Sequence, residues 1–502
     1  MPPASDDGER PQRKWVFSVG TLKQRLFVAA QVLCAVVALT AWALSSPVGS
    51  SPDDDFHLAS TWCAPTAWAG GCVRGADGMV TVPAMTGLAP CFAFKPEVSG
   101  ACQASLVNHA PVRWPNGRAN LTGFYPPVFY ATMGTMASSD VVRSAYLMRV
   151  FNCLLLVGLV GFALAIAPKR IRQAGLLAAL IGFGPLGWFI VASNNPSSWA
   201  VTGVTAFWIS FASIVFSVDL KRRVMSGIVA ITSLVVAAGA RVDAACYVAV
   251  IAVAMAIGVL LWRGATRTIR CIVGVGALAA CAVAAAVYST STQGTVVAGG
   301  FQGGDQSAPA ASMIHNLVEL PKMLFGGFGY WGIGWLDTAL PAAVPILLTF
   351  AFGGVILVGF ARIPSWALVT WLVVAVAFVA IPLRIYQQNG ISVGAQIQPR
   401  YMLPMIPALL GLALLRNRPQ LTTRLSRTQV GSLVILLTAV FVKSLHVNIR
   451  RYVTGTDATY QSLSRAAEWW SQPYVSPNEL FIIGSLAFAG LMITSWSCLR
   501  GR

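Results

Sequence analysis

Residues Leu26 to Leu44 read LFVAAQVLCAVVALTAWAL, a run without a charge, and a few positions later the chain continues Ser51-Pro52-Asp53-Asp54-Asp55-Phe56-His57. An apolar run of about 20 residues, at about 1.5 Å per residue, matches the roughly 30 Å hydrocarbon core of a bilayer. Arg10, Arg13, Lys14, Lys23 and Arg25 precede it, as in a secretory signal. The apolar part of a cleavable signal is only about 7 to 15 residues long, so a retained signal-anchor helix is expected. Three consecutive carboxylates therefore stand beside a membrane surface, in a chain with only 17 Asp and Glu among 502 residues.

Apolar residues make up 56% of the chain and charged ones 10%, with a mean hydropathy of +0.68. Soluble domains carry about 25% charge. The expectation is an all-α integral membrane protein of about 12 transmembrane helices. Candidate spans fall near 26–46, 143–167, 174–192, 199–218, 224–240, 244–262, 271–290, 338–360, 365–382, 401–415, 430–446 and 479–498. Residues 1–25 form a basic N-terminal tail and 26–498 a polytopic membrane domain. With the N-terminus cytoplasmic, 21 of the 35 basic residues fall in short inner loops or tails, among them Lys169, Arg170, Arg172, Lys221, Arg222, Arg223, Arg263, Arg267, Arg270, Arg362, Arg416, Arg418, Arg424, Arg427, Arg500 and Arg502. That bias is expected to put both termini inside, and the high ratio of Arg to Lys with abundant Ala suits a bacterial plasma-membrane protein. The formal charge of +18 follows the same clusters and forms no stripe, so nucleic acid is not expected as a partner.

The outer face then carries a long first loop (47–140), a second excursion (291–337), a short loop (383–400) and a last loop (447–478). Gly299-Gly300-Phe301-Gln302-Gly303-Gly304 reads as a flexible connection. Cys63, Cys72, Cys91 and Cys102 all lie in the first loop. An even number of cysteines in an exported segment suggests two disulfides. Four thiols allow three pairings, with adjacent pairing, Cys63 to Cys72 and Cys91 to Cys102, as the expectation.

Ser51 suits an N-cap, Pro52 a first helical position, and Asp54 stands three residues after Ser51 as in a capping box. On the resulting helix Asp53 and Asp54 lie four and three residues before His57 and can share a face with it. Carboxylates in a first turn also complement the helix dipole, but that needs fewer than three. Asp53, Asp54 and His57 form an oxygen- and nitrogen-donor set compatible with magnesium or manganese, without requiring either. Outward arginines able to hold a phosphate are Arg400, placed between an outer loop and a span after Pro399, and Arg143, Arg241 and Arg384. Arg143 and Arg241 also have Asp140 and Asp243 as nearby partners.

The N-in first span, the Pro-Asp-acid with a following His, and the long outer loop resemble the GT-C superfamily of membrane glycosyltransferases, and within it a bacterial family of multi-pass proteins of unknown function. Further elements of that resemblance are Tyr125-Pro126-Pro127-Val128-Phe129-Tyr130, Arg143, Arg149, Asn195-Pro196, Gly334-Trp335-Leu336-Asp337-Thr338 and Gln398-Pro399-Arg400-Tyr401-Met402-Leu403-Pro404. It implies transfer of a sugar from a polyprenyl-phosphate carrier in the membrane lipid to an envelope glycan or glycolipid acceptor on the outer face. The catalytic acid maps to Asp53 with Asp54 beside it; Asp55, His57, Arg400, Arg143, Arg241 and Tyr125 become candidate substrate-binding residues. The triple Asp stands where many relatives have Asp-Glu. Rival readings are a transporter or flippase for a lipid-linked sugar or exported glycan, and a non-catalytic envelope-assembly scaffold. A transporter would place charges at mid-membrane, whereas here the acids cluster at one mouth.

Overall fold

The computed structural model describes residues 22–293, 312–395, 397–416 and 425–499. Arg10, Arg13, Lys14, Arg418, Arg424, Arg500, Arg502 and the glycine-rich stretch 299–304 lie outside them. The membrane-length apolar segments fold as helices because every backbone donor and acceptor must be satisfied within the segment once water is excluded. They are α1 (Leu22–Leu44), α5 (Val141–Ile166), α8 (Ser197–Phe216), α9 (Leu220–Ala240), α10 (Val242–Leu261), α11 (Arg267–Thr290), α14 (Ala343–Phe360), α15 (Ser365–Gln388), α18 (Arg427–Val453) and α19 (Pro477–Leu499). These ten are long and apolar enough to cross a membrane. Helix α8 is buried along its whole length, as expected of a helix apolar on all sides. It lies close against α9 at Gly203, where an added Cβ would come within 2.8 Å of the Ala237 nitrogen and the Ser233 oxygen.

Two of the twelve expected spans are broken rather than continuous. The 174–192 stretch folds as α6 (Lys169–Gly182) and α7 (Gly184–Val191), bent by 90° at a joint where Gly184 has φ +52° and Pro185 follows. Glycine accepts that conformation at no steric cost, and proline cannot continue the preceding hydrogen-bond ladder. The 401–415 stretch folds as α16 (Pro399–Met402) and α17 (Met405–Ala413), interrupted at Pro404. Its far end still reaches the opposite end of the bundle: Arg170 donates to the Arg416 carbonyl (3.0 Å), and Arg416 to that of Val358 near the end of α14 (3.0 Å).

The first loop is a folded layer over the bundle. Within it lie α2 (Asp54–Trp62), α3 (Ala84–Gly87), α4 (Pro127–Gly134) and a three-stranded antiparallel sheet of β1 (Val73–Arg74), β2 (Met79–Val82) and β3 (Val112–Pro115), in the order β1-β2-β3. Thr81 faces Val73 on one side and Arg113 on the other. Cys63 is bonded to Cys72 and Cys91 to Cys102. Two short helices, α12 (Met313–Glu319) and α13 (Pro321–Gly327), precede α14 at the same end.

Candidate active site

The segment between α1 and α2 is held almost carbonyl by carbonyl. Arg149, fully buried in α5, donates to the oxygens of Ala43 (3.3 Å), Ser46 (2.7 Å) and Pro47 (2.7 Å). Gln103 donates to Val48, Trp335 to Gly49 (2.9 Å) and Tyr452 to Ser50 (3.3 Å). The Pro52 carbonyl accepts from Asn195 (2.9 Å) and Arg400 (2.8 Å). These donors come from loop one, α5, α16, α18, the turn before α8 and the loop before α14. A segment that would otherwise be irregular thereby acquires a single conformation.

At its end the backbone turns at Asp53, whose φ of 61° and ψ of 18° lie in the left-handed region. Aspartate tolerates that region better than most residues. The turn corrects the expected helix start: Asp53, not Ser51, precedes the first turn, and α2 begins at Asp54. Half of the expected capping box survives, since Asp54 Oδ2 accepts the Ser51 N–H at 3.1 Å while the Ser51 hydroxyl has no partner among the described residues. The turn also separates the three acids. Asp53 forms an ion pair with Arg400, Asp54 turns inward, and Asp55 forms an ion pair with Arg118.

The Asp53 side chain keeps 38% of its surface exposed, whereas that of Arg400 keeps 2%. Burial pushes the Asp53 carboxyl up, but Arg400, with further attraction from Arg118, holds it below the ordinary carboxylate range. It is ionised at neutral pH. Asp54 is fully buried, and that burial raises its carboxyl to about 7 against the opposing pull of Arg149. His57 is buried too, with Nδ1 2.8 Å from the Tyr130 hydroxyl, and burial lowers it to about 3, so the imidazole is neutral. Asp54 and His57 therefore face the interior, each with one partnered atom (Asp54 Oδ2 and His57 Nδ1) and one, Asp54 Oδ1 and His57 Nε2, without a partner among the described residues, where no three His, Cys, Asp or Glu side chains converge as metal ligands.

Above Asp53 the site is aromatic and cationic. Arg241, at the α9–α10 joint, grips Asp243 through Nε (2.8 Å) and Nη2 (2.9 Å). Its guanidinium lies over the rings of Tyr401 (4.8 Å) and Tyr125 (5.4 Å), and that of Arg400 over Tyr401 (5.1 Å). Arg400 Nη2 also donates to the Tyr401 hydroxyl (3.2 Å), while its Nε is buried without a partner among the described residues. Tyr125 packs against His57 and Phe56. So Asp53, His57, Tyr125, Arg241 and Arg400 come together.

Arg143 does not join them. Its side chain is exposed on the first turn of α5, and Asp140 accepts its backbone N–H (3.0 Å) as an N-cap rather than pairing with its guanidinium. Sequence reasoning gave no role to Arg118 or, of its own, to Tyr401. Tyr401 was visible only as the neighbour of Arg400, and Asp243, two residues after Arg241, only as its partner.

Residues 36–409 match the family described as predicted membrane protein (DUF2142), and the chain belongs to that family. Among solved structures it is similar to ArnT from Cupriavidus metallidurans, in the apo state and bound to undecaprenyl phosphate. Identity is 14% in both cases, with TM-scores of 0.46 and 0.44, covering 96% of this chain and 77% of ArnT. No curated protein matches the chain significantly.

Proposed function

We propose that this protein transfers a sugar from a polyprenyl-phosphate carrier to a hydroxyl of a cell-envelope glycan or glycolipid, at the end of the bundle where Asp53 lies. One observation carries the reading: an ionised, partly exposed carboxylate is fixed against a buried guanidinium at one end of a membrane bundle. In the reaction the acceptor oxygen attacks the anomeric carbon while Asp53 takes its proton. The bond from that carbon to the phosphate oxygen breaks, its electron pair stays on the lipid phosphate, and configuration inverts. As Asp53 becomes neutral, the positive charge of Arg400 is freed for the phosphate that has just gained negative charge, so one ion pair serves both halves of the step. Arg241, already paired with Asp243, holds Tyr401 and Tyr125 in place. Asp54 and His57 act beneath the surface as positioning residues.

The bias of basic residues toward the opposite end supports an outward-facing Asp53 and cytoplasmic termini in a bacterial plasma membrane. The test compares extracted envelope glycans from cells making intact protein, Asp53→Asn and Asp54→Asn at equal abundance. Loss of one sugar decoration with Asp53→Asn supports transfer. Unchanged glycans with altered sidedness of the lipid carrier would replace the proposal by a flippase, and equal tolerance of both substitutions by a scaffold.

A further inference from the structure

A second feature lies at the opposite end of the bundle from Asp53. Helices α1, α5, α6 and α19 leave between them a groove of about 720 Å³ whose walls are almost wholly aliphatic and aromatic. Along α1 it runs from Phe27 to Leu39, a rise of about 18 Å at helical spacing. That is close to one leaflet, since half of a hydrocarbon core is roughly 15 Å. The deep end stops at Trp188, Phe441 and Phe488, the two phenylalanines stacked with centroids 4.0 Å apart. The mouth, at the basic end of the bundle, is polar and positive. Lys169 and Arg172 stand there, and Ser495, one turn before the end of α19, is fully buried with a hydroxyl lacking a partner among the described residues.

We propose that this groove binds an anionic glycerophospholipid of the leaflet at the basic end, with one acyl chain between α1 and α5. The phosphate lies at Lys169 and Arg172, and the Ser495 hydroxyl donates to an ester oxygen one turn deeper. Three features select this occupant. The depth fits the chain of a single leaflet, the cations complement a phosphate, and the hydroxyl sits where the ester linkage falls. Arg172 contributes charge while its Nε and Nη2 cap the Leu164, Ala165 and Ala167 carbonyls at the end of α5, so the lipid headgroup also bears on the α5–α6 corner. Basic pockets between helices at the inner membrane surface are a recognised form of headgroup recognition.

The full chain, purified in mild detergent and delipidated, is titrated with phosphatidylglycerol, with phosphatidylcholine of the same acyl chains and with a polyprenyl phosphate, and bound lipid is counted by native mass spectrometry. Phosphatidylglycerol is expected to bind at least tenfold more tightly than phosphatidylcholine. Gly161 lines the groove, and a Cβ added there would meet nothing within 4 Å, so Gly161→Trp is expected to fill the space and abolish binding without unfolding the protein. Lys169→Gln, on an exposed position, is expected to weaken phosphatidylglycerol about fivefold and leave phosphatidylcholine unchanged. Equal binding of the two phospholipids, binding that survives Gly161→Trp in folded protein, or preferential retention of the polyprenyl phosphate would overturn the proposal. So would a dimer that the tryptophan dissociates in the absence of lipid, because the groove would then hold a second copy.

Discussion

The two ends of the bundle use arginine differently: carbonyl capping occurs at both, by Arg149 at the end of α1 for instance, but among the described residues arginine–carboxylate pairs against the bundle are found at the Asp53 end. At the Asp53 end Arg118, Arg241, Arg400 and Arg451 each face a carboxylate: Asp55, Asp243, Asp53 and Asp337. At the other end Arg172 donates to carbonyls at the end of α5, Arg223 to that of Ser217 after α8, Arg270 to that of Trp262 after α10, and Arg416 to that of Val358 in α14. A helix C-terminus presents unsatisfied carbonyls and partial negative charge, so a guanidinium there answers both. Capping leaves the cationic charge unneutralised, and the proposed orientation of the chain rests on that surplus. Pairing neutralises it, and a neutral pair can be opened by a substrate. The same residue type thus serves the proposed topology at one end and the proposed chemistry at the other.

The sharpest way to break this contrast is to remove the exposed member of the Asp53–Arg400 pair. Asparagine also tolerates the left-handed backbone of position 53 and can still accept from Arg400. Asp53→Asn is therefore expected to lower transfer in a purified assay by about 10² to 10⁴-fold in protein that remains folded. Retained turnover would remove the base from the mechanism.

Next in size is the pair that does no chemistry. Arg451 is fully buried, donating to Asp337 (3.0 Å), Val98 (2.6 Å) and Phe92 (2.9 Å), and it ties loop one and the turn before α14 to the end of α18. Asp337→Ala leaves that guanidinium without a counter-charge. Removing one partner of a buried pair costs about 3 to 5 kcal/mol, read as a lowered unfolding midpoint in detergent. If the loss were under about 1 kcal/mol, water would have to reach Arg451 and the layer over the bundle would be looser than its burial implies.

Asp54 supplies a pH signature that Asp53 lacks. Its carboxyl is raised to about 7 in the folded protein, against an ordinary value of about 3.9. The folded state therefore binds the proton more tightly than the unfolded one. Its contribution to stability is fully present below the ordinary value and is lost as pH rises through about 7. Melting curves should show intact protein losing stability relative to Asp54→Asn between about pH 4 and pH 8, by a few kcal/mol. Asp53, held low, acts with the opposite sign and only in acid. Parallel profiles for intact protein and Asp54→Asn would show that Asp54 is solvated.

Much of this contrast was legible before the fold. The length of the apolar runs gave the spans, because hydrophobic length and bilayer thickness are the same measurement. The bias of Lys and Arg distinguished the two ends; Asp53 was named from its place after the first span together with the family resemblance, and Arg400 and Arg241 from their placement at span boundaries expected to face outward. What failed was local geometry. Reading Ser51 as the cap placed Asp53, Asp54 and His57 on one helical face, but the left-handed turn at Asp53 divides them between the opening and the interior. Arg143 resembled Arg400 in its position at a span boundary, yet one is exposed on a first turn and the other is buried; sequence spacing does not say which way a helix is rotated. Nor could it pair Asp337 with Arg451, because that contact joins positions 114 residues apart. The breaks at Gly184 and Pro404 lay within apolar runs that hydropathy alone reads as continuous.

The smallest expected effect tests the capping side of the contrast. Arg223 lies in the first turn of α9 and donates to the Ser217 carbonyl at the end of α8 at 2.7 Å. The Arg223→Gln side chain can keep a donor near that carbonyl but not the charge, so what it loses is the interaction with the α8 dipole. Such an interaction is worth about 0.3 to 1 kcal/mol and is screened by salt. The variant should therefore melt slightly below intact protein at low ionic strength, and the difference should shrink as salt is raised. A difference that ignores salt would mean that Arg223 acts through its hydrogen bond or its packing alone, and the surplus charge of this end would then owe nothing to helix capping.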